Sequence, residues 1–115
     1  MFDYFQIDHH YLPIDNHKEF KDEVYQTKSL NNALDEFYCE NHKLYVNTYN
    51  VEIVDDKDLP YPDKPFIGCI RRIPTGPELF NYTGEVRFYT RKNEEWYEFV
   101  AFFVKGHLID VFKND

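Results

Sequence analysis

The sequence predicts a mainly β fold, an antiparallel meander sheet with at most one short helix, with an α+β arrangement as the alternative. Two observations carry this. Aromatic residues make up 19% of the chain, with 11 Phe and 10 Tyr against a single Met, and such side chains pack well on pleated sheet faces. The C-terminal third also alternates apolar and polar residues with period two, as a half-buried strand does. At 115 residues the chain fits one domain, residues 1–115, able to bury a modest core.

Taken in order, MFDYFQI is short and aromatic and reads as a strand, with Phe2, Tyr4 and Phe5 as its apolar positions. DHHYLPIDNHKEFKDE mixes Pro13, Asp15, Asn16 and charged residues without a period, which predicts a mobile loop. Val24 and Tyr25 suit a short strand, and Ser29 is placed to cap a helical turn through Leu30, Ala33 and Leu34. Asn41-His42-Lys43 has the residue types that close a hairpin between a strand at 37–40 and a second from Leu44 to Val54.

The acidic segment DDKDLPYPDKP holds Pro60, Pro62 and Pro65, which remove ladder donors, so an exposed loop is predicted. PFIGCIRRI then offers a strand and PTGPELFNYTG a set of turns. In EVRFYTRK, Val86, Phe88 and Thr90 fall on one face and Glu85, Arg87, Tyr89 and Arg91 on the other. EWYEFVAFFVK is apolar on both faces from Phe99 to Val104, which predicts a central strand covered on both sides with Phe102 in the core. Lys105-Gly106-His107 makes a tight turn into LIDVF, completing a meander of about four strands.

Charge is distributed unevenly. Net charge is −8; residues 1–63 carry 14 acidic and 5 basic side chains, a balance of −9, while residues 64–115 carry 7 and 8, a balance of +1. An acidic half repels phosphate backbones and attracts basic surfaces, so the expected partner is the basic surface of a protein effector, with Asp55, Asp56, Asp58 and Asp63 as candidate contact residues. Direct nucleic-acid binding is not expected; the place for it would be Arg87, Tyr89 and Arg91, which share a strand face able to stack bases or grip phosphates. All four arginines, Arg71, Arg72, Arg87 and Arg91, lie in one stretch. The competing reading pairs them with Glu85, Glu95 and Glu98 across the sheet.

Catalytic motifs are absent from the sequence: there is no GxSxG elbow, no HExxH and no P-loop, so the chain is not expected to be an enzyme and no cofactor is expected. Ser29 has no recognisable base, and Cys39 and Cys69 sit in apolar strand-like contexts that favour inert, buried thiols over a disulfide. Asp8, His9, His10 and His17 have the residue types of a partial metal shell. Adjacent strand residues point to opposite faces, so His9 and His10 can share an ion only where the backbone is irregular; a solvated loop without metal is the expected reading. His42 and His107 fall in predicted turns, where exposure is expected. No apolar run is long enough to cross a membrane as a helix, and the N-terminus lacks the basic and apolar regions of a signal peptide, so a cytoplasmic protein is expected.

QTKSLNNALDEFY, YTGEVRFYT and EEWYEFVAFFVKGHLIDV together resemble small accessory proteins carried by phages and prophages. The likeness covers about half of the chain, and Asp8 to Glu23 and Val54 to Lys64 have no counterpart in it. Its motifs are structural and carry over no active site. It implies a phage gene product acting in the host cytoplasm, of the kind that disarms host defences, anti-CRISPR proteins among them. A small acidic domain suits a stoichiometric inhibitor that covers a basic nucleic-acid channel. Two alternatives stand beside it: an immunity protein or antitoxin that neutralises a toxin, and a small metal-dependent enzyme or ligand-binding β domain using Asp8, His9, His10 and His17.

Overall fold

The computed structural model describes residues 1–54 and 69–114, and their strands follow in the order β1 (Asp3–Ile7), β2 (Tyr25–Thr27), β3 (Glu36–Glu40), β4 (Lys43–Val46), β5 (Tyr49–Val54), β6 (Cys69–Pro74), β7 (Glu78–Leu79), β8 (Gly84–Lys92), β9 (Glu95–Val104) and β10 (His107–Lys113). The predicted mainly β class is what is found. Strand β1 buries Asp3, Phe5 and Ile7 and exposes Tyr4 and Gln6. It runs antiparallel to β2 on one side and parallel to β3 on the other, with Phe5 opposite both Tyr25 and Phe37. That parallel pairing departs from the antiparallel expectation.

Strand β2 continues the sheet to β8, where Thr27 lies opposite Phe88, and β8, β9 and β10 form an antiparallel meander. On the other side, β3 and β4 form the expected hairpin, closed by Asn41 and His42 at φ +52° and +62°, the left-handed pair of a tight turn that matches strand twist. Strands β4 and β10 then meet at Lys43 and His107. Around that pair, the Leu44 N–H donates to the Gly106 carbonyl at 2.8 Å and the Leu108 N–H to the His42 carbonyl at 2.7 Å. The sheet is therefore closed like a barrel, which removes edges that would otherwise invite strand addition.

The enclosed core is aromatic: Phe5, Phe20, Tyr25, Phe37, Phe88, Phe99 and Phe103 are fully buried. Tyr25 meets Phe88 edge-on at 4.9 Å, and Phe5 packs on Phe88 at 4.8 Å, geometries that suit the ring quadrupole. The β9–β10 turn requires glycine, because Gly106 has φ +79° and a Cβ there would lie 2.6 Å from the Phe80 carbonyl oxygen.

Several expectations are corrected. The predicted strand Leu44 to Val54 breaks after Val46, where the Asn47 N–H donates to the Glu36 carbonyl and the Thr48 hydroxyl meets that of Thr75 at 2.9 Å. Beyond that break β5 pairs with β6 in a separate two-stranded sheet, so the C-terminal meander has three strands rather than about four. The predicted helical turn at Leu30–Leu34 is absent. The buried Asp3 carboxylate instead takes the N–H groups of Asn32, Ala33 and Asp35 at 2.6, 2.9 and 3.0 Å, with Asn32 and Leu34 at positive φ. Ser29 caps nothing; its hydroxyl accepts the Arg87 N–H at 3.0 Å.

The predicted loop after β1 contains two short 3₁₀ turns, His9–Tyr11 and His17–Phe20, anchored by buried Leu12 and Phe20. Phe20 packs edge-on against Tyr97 at 4.8 Å. In β9, Phe99, Ala101 and Phe103 face the core, whereas Phe102 is half-buried on the outer face against Phe112 at 5.5 Å. The outer face of β9 is covered unevenly: Val100 is buried, Phe102 half-buried and Val104 exposed.

Candidate functional site

The first 3₁₀ turn is fixed by its own acid. Asp8 occupies the cap position, and its carboxylate accepts the His10 N–H at 3.0 Å and lies 2.7 Å from His10 Nδ1. Three residues per turn rotate successive side chains by about a third of a circle rather than the half-circle of a strand, and the His9 and His10 rings consequently lie 4.0 Å apart. The irregular backbone that a shared site requires is therefore present.

The second turn carries His17 back to the same place. Its Nδ1 lies 3.0 Å from His9 Nδ1, with the rings stacked at 5.2 Å and 19°, and the His10 ring is 5.7 Å away. One nitrogen of that contact donates and the other accepts, so the two rings share one proton between those atoms. Lost solvation and the neighbouring His10 hold His9 below the usual histidine range, while the hydrogen bonds from the His10 backbone and ring hold Asp8 below the usual carboxylate range.

Asp8, His9 and His10 form one wall of an open cleft of about 450 Å³, which Lys21, Asp22, Glu23, Tyr38 and Glu40 also line, with His17 behind His9. Glu23 accepts from Thr90 at 2.8 Å and from Lys92 at 3.1 Å, tying the rim to β8. At the cleft floor Cys39 is a buried free thiol. Burial pushes it up to about 12, which keeps the thiolate population negligible and the sulfur a poor nucleophile. Among the residues sequence reasoning did not connect with His9 and His10 are Asp22, Glu23 and Glu40, because their proximity comes from the β1–β3 pairing and the second turn rather than from chain spacing.

The outer face of the meander is a second feature. As predicted, Arg87, Tyr89 and Arg91 share it. Arg87 pairs with Glu85 on its own strand at 3.5 Å, not across the sheet. Glu95 and Glu98, the other expected partners, instead accept from Tyr97 and Asn114. Tyr89 stacks on Trp96 at 5.2 Å and 24°, and Trp96 is 61% exposed. Arg91 lies opposite Trp96 across the hairpin, whose turn is Asn93-Glu94 alone, Lys92 belonging to β8 rather than to the turn Lys92-Asn93-Glu94 that the residue types suggest.

His42 lies in its turn, exposed, with Nδ1 3.2 Å from the Tyr11 hydroxyl, and His107 is exposed at the start of β10. The candidate contact residues Asp55, Asp56, Asp58 and Asp63 lie outside the described residues, as do the side chains of Cys69, Arg71 and Arg72. No helix among the described residues is long and apolar enough to cross a membrane. No family model, curated protein or solved structure matches the chain.

Proposed function

We propose that this domain is a non-catalytic protein-binding module that docks an acidic surface onto a basic, nucleic-acid-handling effector, in the manner of an anti-CRISPR-type phage counter-defence protein. The observation that supports it best is the gathering of Asp8, Asp22, Glu23 and Glu40 around one open cleft, against Lys21 on its lining and Lys92 paired with Glu23. They belong to the half of the chain that carries a balance of −9. Such a surface steers a basic partner and excludes phosphate backbones, and its charges act chiefly on the association rate. Asp55, Asp56, Asp58 and Asp63 add four carboxylates from the same half.

The test is affinity capture from host extract at low and high salt, followed by titration of the recovered partner with two variant sets. Neutralising Asp22 and Glu40 (Asp22→Asn with Glu40→Gln), or reversing Asp55, Asp56 and Asp58 to Lys, should weaken binding and flatten its salt dependence. Thermal stability should stay within about 0.5 kcal/mol, as for exposed surface changes. Recovery of a small toxin would instead favour an immunity protein or antitoxin. No partner at low salt, or binding indifferent to both sets, would overturn the proposal.

A further inference from the structure

Independently of docking, the geometry points to a transition-metal site on the cleft wall: we propose that His9, His10 and His17, with Asp8, bind one divalent ion of the zinc type. Three imidazoles crowd together here, with ring centroids 4.0 to 5.7 Å apart. Three imidazoles in one small volume suit an ion that prefers imidazole nitrogen.

The distances fit. His9 Nδ1 and His17 Nδ1 are 3.0 Å apart, whereas two nitrogens bound to a tetrahedral zinc at about 2.0–2.1 Å lie about 3.3 Å from each other. A small separation of the two rings would admit an ion between them. Asp8, His9 and His10 each offer a ligand atom within 4.8 Å of the others. His10 has Nδ1 held by Asp8 at 2.7 Å, leaving Nε2 as its ligand atom. That is the carboxylate–histidine arrangement that fixes the ring and raises its basicity at many metal sites.

Both turns are held by the chain itself. The first is closed by the Tyr11 and Leu12 N–H groups donating to the Asp8 and His9 carbonyls at 3.0 and 3.1 Å, and the second is pinned by buried Phe20. Little chain ordering is then required on binding. Imidazole ligands, with Asp8 holding His10 from behind, favour zinc, cobalt or nickel over calcium or magnesium.

The test uses untagged full-length protein, dialysed against Zn²⁺ and assayed by elemental analysis, with Co²⁺ as a spectroscopic probe. The expected result is one zinc per chain and a Co²⁺ spectrum of low-coordinate nitrogen ligation. His9→Ala and His17→Ala should each weaken binding by about 100-fold or more, and Asp8→Asn by about 10–100-fold. His107→Ala, outside the cluster, should leave affinity unchanged. Circular dichroism without metal checks that the variants remain folded; if one does not, the Co²⁺ spectrum of the unaltered protein decides. No stoichiometric zinc, an octahedral aqua-like Co²⁺ spectrum, or undiminished binding by the folded His9→Ala, His17→Ala double variant would overturn the proposal.

Discussion

The C-terminal meander and the N-terminal half of this protein reach order by different routes. In β8, β9 and β10 each strand pairs with its sequence neighbour, across two-residue turns whose residues all have positive φ: Asn93-Glu94 and Lys105-Gly106. Alternation and turn chemistry are enough to specify it. In the N-terminal half β1 pairs with β2 and β3 across long irregular segments, and β2 reaches β8. Those segments are held by side chains: Asp3 gathers three backbone N–H groups, the Thr27 hydroxyl donates to the Arg87 carbonyl at 2.6 Å, and Phe20 plugs the core. The difference teaches that the cleft and its histidines are built from polar ties, while the meander is the apolar wall they lean on.

Several substitutions would break or sharpen that contrast. The largest effect is expected in the apolar wall: Phe99→Ala should cost about 3–5 kcal/mol in urea unfolding. Phe102→Ala, on the half-buried outer face of the same strand, should cost only about 1–2 kcal/mol, the worth of part of a buried side chain. Equal losses at the two positions would remove the distinction between inner and outer faces of β9.

Asp3→Ala tests the polar side of the contrast. It deprives the N–H groups of Asn32, Ala33 and Asp35 of their acceptor in a partly buried setting, for an expected loss of about 3 kcal/mol. A loss below about 0.5 kcal/mol, typical of a surface change, would mean the segment is held by something else.

Smaller still is Tyr25→Phe. The Tyr25 hydroxyl is buried with no hydrogen-bond partner among the described residues, and burial pushes its phenol well above the ordinary range. Removing the unpaired hydroxyl should raise stability by about 1 kcal/mol; a loss of stability would show that the hydroxyl has a partner, such as a water. For Cys39 no stability change is at stake. Its raised value means that native protein at about pH 8 should leave this thiol unalkylated by iodoacetamide while unfolded protein reacts fully, and peptide mapping that finds native Cys39 labelled would place it nearer solvent.

Much of the meander was legible in the sequence because its information is local: Val86 and Phe88 point inward as their alternation requires, and the glycine at 106 sits where φ is positive. The Asn41-His42 turn was legible for the same reason. Partners distant in the chain were not. Nothing in Asp3 marks it as the acceptor for residues near 33, so Ser29 and Leu30–Leu34 read as a capped turn on propensity alone. Nor does composition reveal that Asn47 and Thr48 end a strand that stays apolar afterwards. The histidines were visible as residue types, but their meeting depends on two 3₁₀ turns whose stability comes from Leu12 and Phe20, residues that read as loop.

Native-state hydrogen exchange tests most directly the claim that the N-terminal half is fixed structure tied by side chains. The account predicts that the amides of Asn32, Ala33 and Asp35, together with Tyr11 and Leu12 in the first 3₁₀ turn, are protected although they lie in no strand. In Asp3→Ala, Asn32, Ala33 and Asp35 should lose protection selectively while β8, β9 and β10 retain theirs. Free exchange at these five amides in the unaltered protein would contradict it, leaving the cleft and its histidine cluster without a scaffold.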